Sequence, residues 1–233
     1  MERLDKFLSN AEVLTRSQCK IAVKRKLITV NGVVISDASI KIDENVDEVC
    51  YNGNKVEYKK FTYIMLNKPS GVVSATDDGN FQTVVDLVPL EMKKKGLFPC
   101  GRLDKDTVGL ILLTNDGVSA HRRLAPKSKT EKVYYFETAE TISDSEVETL
   151  EKGVTLNDGF TTAPCKITLK TSNSGEIILT EGKYHEIKRL FGYTGNKVTY
   201  LKRLKFANIV LDSNLAEGEC RYLTNEEIAL FTL

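Results

Sequence analysis

A chain of 233 residues, 41% hydrophobic and 28% charged, has the makeup of an ordinary globular protein and is long enough to bury one large core or two smaller ones. Its 33 basic and 32 acidic side chains leave a net charge of +1, so any surface that binds a polyanion must be built locally. The five cysteines are odd in number and form no C-x-x-C pair, which predicts reduced thiols. With only His121 and His185 as imidazoles, far apart in the chain, no metal site is expected. An amphipathic start, and no run approaching the roughly 20 apolar residues of a membrane span, predict a cytoplasmic chain without export signal or membrane segment.

Leu4, Phe7 and Leu8 fall at helical spacing, so the chain is expected to open with a helix over 3–8. A second helix is predicted over 17–26, with Ser17 as N-cap and Ile21 and Ala22 facing inward. Asn31-Gly32, within LITVNGVVI, is a hairpin signal, and a further strand is expected over 46–51. Arg16, Lys20, Lys24, Arg25 and Lys26 crowd the second helix with no acid among them. Such a row is either a solvated face or a phosphate-binding surface. The segment RLDKFLSNAEVLTRSQCKIAVKRKLITVNGVVI resembles the S4 RNA-binding domain, from its RLDKFL opening to its VNG hairpin, with Thr15-Arg16 where Ser-Arg is commoner. That resemblance implies phosphate contacts by Arg3, Lys6, Arg16, Lys20, Lys24 and Arg25. Asn52-Gly53 and the polar stretch 57–60 mark an expected boundary, giving domains at 1–59 and 60–233.

The hydrophobic pattern restarts in FTYIMLNKPSGVVSA, read as a strand over 63–66, a turn at Lys68-Pro69-Ser70-Gly71 and a second strand. A helical piece is expected over 83–87. A basic turn follows at 92–95, whose Lys93, Lys94 and Lys95 either touch RNA or face solvent. In FPCGRLDKDTVGLILLTNDG, the apolar run 110–114 followed by Asn115-Asp116-Gly117 predicts a buried strand entering a tight hairpin, with Asp116 in the turn. The loop before it is punctuated by Pro99, Gly101 and Gly109 and carries Arg102, Asp104, Lys105 and Asp106. A carboxylate on a short loop backed by a rigid strand, beside a cation, suits catalysis and makes Asp104 a candidate. The residues alone describe a turn or surface aspartate at least as well.

Further on come a helix over 118–124, a strand in KTEKVYYFET, a helix over 143–152 and an antiparallel pair at 165–169 and 176–180 across Asn173-Ser174-Gly175. In TEGKYHEIKRLFGYTGNKV, residues 185–191 fit a helix with Ile187, Leu190 and Phe191 inward. His185 reads as a helix-start residue, Lys188 and Arg189 as surface cations, and Tyr134 as an ordinary strand tyrosine. The whole reads as α+β: a small N-terminal α/β domain, then a mixed, mainly antiparallel sheet with flanking helices.

GRLDKDTVGLILLTNDG resembles the active-site motif of the pseudouridine synthases, in the RsuA-type branch that modifies ribosomal RNA, with Val108 where Ser or Thr is usual. NKPSGVVS is similar to that family's opening segment, K-x-Y at Lys132 to Tyr134 to its tyrosine segment, and EGKYHEIKRLF to its third signature. The resemblance implies an isomerase that converts a uridine of ribosomal RNA, of the small-subunit 16S type, into pseudouridine. No atoms are gained or lost in that reaction, so no cofactor or metal is expected. It implies that Asp104 is the catalytic aspartate and that Lys188 is the basic partner holding it ionised. Tyr134 would stack on the everted base or pass a proton. Arg102 would support the site, Leu201 would be the apolar residue beneath it, Arg203 would touch RNA, and a pocket sized for one pyrimidine nucleotide would lie between Asp104 and Lys188. The expected partner is 16S ribosomal RNA or a small-subunit assembly intermediate, met by a monomer. Two alternatives remain: the same chemistry on 23S ribosomal RNA, and a noncatalytic S4-type RNA-binding protein.

Overall fold

In the computed structural model, which describes every residue except Glu12, Asn45, Glu57 and Lys59, the chain divides into two units, Met1–Phe61 and Thr62–Leu233. The first contains β1 (Glu2–Arg3), α1 (Leu4–Asn10), α2 (Arg16–Lys24), β2 (Ile28–Val30), β3 (Val33–Val34), β4 (Lys41–Ile42), β5 (Val49–Tyr51) and β6 (Asn54–Lys55). Strand β1 pairs with β4, and a four-stranded sheet runs β3-β2-β5-β6. Leu4, Phe7 and Leu8 of α1 pack with Cys19, Ala22 and Val23 of α2 and with Ile28 and Val49 of the sheet.

Helix α2 differs from the expected one in its start and its buried face. Thr15 rather than Ser17 is the cap, its side chain accepting from Gln18 N–H while the Gln18 side chain accepts from Thr15 N–H. Ala22 is buried as expected, but Ile21 is 52% exposed and Val23 takes the inward place. Asn31 and Asn52 both adopt left-handed backbone (φ 52° and 51°) ahead of Gly32 and Gly53, so each Asn-Gly pair turns a hairpin. The expected boundary at Asn52-Gly53 is therefore the β5–β6 turn. Glu57 and Lys59, in the rest of that boundary, lie outside the described residues.

The second unit contains β7 (Tyr63–Lys68), β8 (Phe98–Cys100), β9 (Val108–Thr114), α3 (Gly117–Leu124), β10 (Lys132–Thr138), α4 (Asp144–Glu151), β11 (Lys166–Thr171), β12 (Ser174–Leu179), α5 (Glu186–Tyr193), β13 (Val198–Phe206), β14 (Ile209–Val210), β15 (Cys220–Tyr222) and α6 (Asn225–Thr232). Its sheet runs β11-β12-β10-β13-β9-β7-β15, with β8 on β9 and β14 on β13. Every pairing is antiparallel except β9 with β13. Strands β7 and β9 are buried at every residue, as expected of continuous apolar runs covered on both faces. One face packs Ile64, Leu66, Ile111 and Leu113 with Leu190 and Phe191 of α5, and Phe191 meets Phe136 at 4.7 Å between ring centroids. The other packs Met65, Leu110 and Leu112 with Ala120 of α3 and Phe231 of α6.

Three expectations fail here for local reasons. Asp116 turns no hairpin but caps α3, its carboxylate accepting from the N–H groups of Val118 and Ser119 while the Tyr63 hydroxyl donates to it at 2.8 Å. Asx residues favour helix starts and turns for the same reason, a side-chain oxygen that accepts from nearby backbone N–H groups. Residues 83–87 form turns, because the Asp86 carboxylate takes the Thr83 N–H and hydroxyl and closes a single loop. The second strand after Gly71 reduces to one bridge between Val73 and Thr83.

Gly109 sits at φ 97°, and a Cβ there would lie 2.4 Å from the Arg203 carbonyl oxygen. Only glycine lets β9 come so close to β13. The crossing pairs Gly109 with Arg203 and brings the loop 101–107 to the middle of β13, near Leu201.

Candidate active site

The loop 101–107 is laced to the segment 68–74 on its far side. Lys68 ends β7 with its whole side chain buried, and its ammonium donates to the carbonyls of Pro69 (3.1 Å), Lys105 (3.1 Å) and Thr107 (2.8 Å). Gly71 N–H also donates to Lys105 O at 2.9 Å. The Ser74 hydroxyl donates to Leu103 O and accepts from Leu103 N–H, both at 2.9 Å. Backbone on either side of Asp104 is thus tied down, and the carboxylate projects from a fixed peptide. Burial pushes the Lys68 ammonium down to about 8, against the pull of Asp106 and Asp104.

From the other side come the loop after β12 and the start of α5. His185 begins that helix in left-handed backbone at φ 49°, stacked on Tyr184 at 3.8 Å, and its Nε2 lies 3.7 Å from Asp104 Oδ1. One turn on, Lys188 Nζ stands 3.4 Å from Asp104 Oδ2 and 2.5 Å from Asp106 Oδ1. Lys188 therefore bridges two carboxylates, with Asp106 the nearer. The hydrogen bond from Lys188 holds the Asp106 carboxyl below its ordinary range.

Asp104, Lys188, Tyr134, Arg102 and Leu201 all line one cleft, together with Thr107, Glu181, His185 and Glu186. Tyr134 comes from β10, 8% exposed, and Leu201 from β13, 6% exposed. The cleft encloses about 70 Å³, less than the roughly 300–1,000 Å³ of ordinary ligand pockets. It is smaller than the expected nucleotide-sized pocket. A second cavity of about 500 Å³ adjoins it, sharing Arg102, Tyr134, Glu181, Gly182 and Lys183.

Arg203 is not an exposed RNA contact. It is 1% exposed, its Nε donates to Leu110 O at 2.7 Å, and the close β9–β13 crossing covers it. In the first unit Arg16, Lys20, Lys24 and Arg25 are exposed on and just beyond α2. Arg3 is committed to Asp5 through Nε (3.0 Å) and Nη2 (2.8 Å), and Lys6 lies 3.8 Å from Glu2.

Sequence reasoning passed over Lys68, Ser74 and Glu186. A lysine closing a largely apolar strand was the available signal for Lys68; nothing in the sequence singled out Ser74. Glu186 is 4% exposed, with Lys183 N–H donating to its Oε2 at 2.7 Å and no partner for Oε1. Burial raises its carboxyl to about 7, with neighbouring Glu181 adding to the effect. Among the described residues no group of His, Cys, Asp and Glu side chains is placed to hold a metal ion.

The family model for RNA pseudouridylate synthases matches residues 62–193, and that for the S4 domain matches residues 2–49. An uncharacterized RNA pseudouridine synthase of Bacillus subtilis (strain 168) is 44% identical over 232 residues, covering 98% of this chain and 97% of its own length. The ribosomal small subunit pseudouridine synthase A of Escherichia coli (strain K12) is 37% identical, covering 97% of this chain and 98% of its own. That of Haemophilus influenzae is 36% identical, with 97% of each chain covered. A crystal structure of a pseudouridylate synthase superposes with a TM-score of 0.70 at 35% identity, covering 99% of this chain and all of that one. With a buried strand behind a clamped aspartate, a lysine facing it from α5, and these matches along nearly its whole length, the chain belongs to the RNA pseudouridine synthase family and carries an S4 domain at its N-terminus.

Proposed function

We propose that the enzyme isomerises one uridine of 16S ribosomal RNA, with Asp104 as its catalytic carboxylate. The observation that carries this reading is the Asp104 carboxylate itself, held by backbone ties on both sides and met by Lys188 at 3.4 Å in a cleft shared with Tyr134. The address rests on the relatives of Escherichia coli and Haemophilus influenzae, which are named small-subunit enzymes.

The reaction breaks the N1–C1′ bond of uridine and forms a C5–C1′ bond after the base has turned. The C5 proton leaves and N1 gains one, so nothing is consumed. A fixed carboxylate near C1′ can attack the sugar, stabilise cationic character there or remove a sugar proton, and each role needs the preorganisation that the loop supplies. Lys188 meets that carboxylate and aims it. The reacting atoms lie inside stacked RNA, so the uridine must be everted, and Tyr134 offers a ring for it to stack on. Arg102 stands exposed at the cleft mouth and Leu201 lines it as the apolar residue beneath the base. Residues 1–59 serve as the RNA anchor through Arg16, Lys20, Lys24 and Arg25, and residues 60–233 as the catalytic domain, working as a monomer in the compartment that holds the ribosome.

Mapping pseudouridines in ribosomal RNA from cells with and without the gene is the test: one 16S position is expected to disappear. Loss of a 23S position instead moves the address and keeps the chemistry. Asp104→Asn is expected to bind RNA within about threefold of the parent and to form no product, whereas conversion at the parent rate removes Asp104 from the mechanism.

A further inference from the structure

Glu186 opens α5 with its carboxyl set in the wall of the cleft, 4% exposed. Its Oε2 accepts from Lys183 N–H at 2.7 Å, while Oε1 is sealed from solvent and, among the described residues, finds no donor. No water or substrate atom can approach that oxygen, so whatever satisfies it must belong to the protein. The side chain that hydrogen-bonds with Glu186 is Glu181, two residues beyond the end of β12. Glu181 in turn accepts from Ala163 N–H through Oε1 at 2.5 Å. Two ionised carboxylates can only accept, and they repel each other. One proton between them makes the contact a charge-assisted hydrogen bond and leaves no oxygen orphaned.

The surroundings favour keeping that proton. Burial is the largest influence on the Glu186 carboxyl, the charge of Glu181 adds to it, and the pull of Lys132 from β10 is weaker. The Lys132 ammonium donates to Thr130 O at 2.9 Å and is itself pushed down by burial. Lys183 gives the pair its N–H while its ammonium stands over the Phe160 ring at 5.3 Å. Cys165, ahead of β11, is a thiol pushed up to about 12 by burial and so stays neutral, and Glu151 of α4 is turned to Ile167 N–H.

What the pair ties down is the first turn of α5. A chain of hydrogen bonds runs from Ala163 N–H through the two carboxyls to Lys183 N–H. On either side of Glu186 in sequence stand His185 and Lys188, the groups 3.7 and 3.4 Å from the two Asp104 oxygens. Release of the proton to solvent would leave two negative charges in the cleft wall at that turn, and moving Glu186 outward is what relieves them.

We infer that Glu181 and Glu186 share one proton, and that this proton holds the start of α5, and with it Lys188, in place at Asp104. The two are positioning residues, and the rate falls as the pair ionises. This rests on the reading of Asp104 as the catalytic carboxylate.

Two readouts on the full-length chain test it. In 15N-labelled protein the amides of Ala163 and Lys183, one on each carboxyl, should titrate together with a midpoint near 7, and the Lys188 amide should follow them. In Glu186→Gln the side-chain amide donates permanently to Glu181 while its oxygen keeps the Lys183 N–H, so none of the three should move between pH 6 and pH 8. Glu181→Gln donates from the other side and should move the Lys183 midpoint down, which covers a folding defect in the first variant. The second readout is single-turnover conversion of ribosomal RNA. Its rate should fall about tenfold from pH 6 to pH 8 in the parent, and no more than about threefold in Glu186→Gln, the remainder that Lys68 at about 8 can supply. Separate midpoints for Ala163 and Lys183, a Lys188 amide that does not follow them, or equal falls in rate in parent and variant would each overturn the proposal. A parent that forms no pseudouridine at any pH sinks the assigned reaction instead, and the three amides still decide whether the shared proton holds α5.

Discussion

Lys68→Met removes the ammonium that ties β7 to the loop 101–107 while keeping the length of the side chain. Two opposing terms decide its effect on stability. The displacement of the Lys68 ammonium from 10.5 to about 8 corresponds to about 3 kcal/mol of penalty for keeping it charged there at neutral pH, and methionine lifts that penalty. Against this, the carbonyls of Pro69 and Thr107 lose their donor, at roughly 1–3 kcal/mol for each acceptor left unpaired, while that of Lys105 keeps the Gly71 N–H. The sum lies between near neutrality and a loss of about 3 kcal/mol, so the variant should stay folded. Activity has no such offset. The ammonium also holds the Lys105 and Thr107 carbonyls of the loop that carries Asp104, and an ångström of freedom in a reacting group costs about 100-fold. Urea unfolding and single-turnover pseudouridine formation should therefore separate, with a small shift in midpoint and a fall of about 100-fold in rate. A Lys68→Met enzyme that turns over within threefold of the parent would refute the claim that this ammonium holds the loop in place.

Lys188→Met leaves Asp104 and Asp106 without their shared cation and should lower kcat by about 100-fold. Asp106→Asn frees Lys188 for Asp104 alone and should stay within about tenfold, so equal losses in the two variants would place Lys188 outside the reaction. Glu186, raised from 4.5 to about 7, binds its proton more tightly in the folded chain than in the unfolded one. Its contribution is full below pH 4.5 and is lost as pH rises through 7, on the order of 3 kcal/mol in all. Denaturant midpoints of parent and Glu186→Gln between pH 5 and 8 should thus diverge, the parent falling relative to the variant, and parallel curves would contradict the buried carboxyl. Gly109→Ala places a Cβ 2.4 Å from the Arg203 carbonyl at φ 97° and should cost more than about 3 kcal/mol. A parent-like unfolding midpoint would mean that β9 and β13 can move apart.

Much of this site could be read from residue order because its parts lie on locally determined elements. The apolar run 110–114 announced β9, and the periodicity of Ile187, Leu190 and Phe191 announced α5, so the elements that carry Asp104 and Lys188 were legible. What joins them was not. The ties from Lys68 and Ser74 to the loop span 29 to 39 residues, the Arg203 Nε bond to Leu110 spans 93, and no local period encodes such contacts. Arg203 shows the difference most sharply. The family resemblance implied that it touches RNA, and a parallel crossing permitted by one distant glycine buries it instead. The same cause accounts for Asp116, where local chemistry correctly marked a side chain that accepts from backbone N–H groups but could not say whether the chain beyond would turn back as a strand or begin a helix. That choice falls to the tertiary neighbours, here Tyr63 donating to the Asp116 carboxylate and Ala120 packing against the sheet. Local residue order thus set which groups the loops present, while long-range packing set which way each faces, and it is the second that holds a surface-like aspartate in a cleft opposite Lys188.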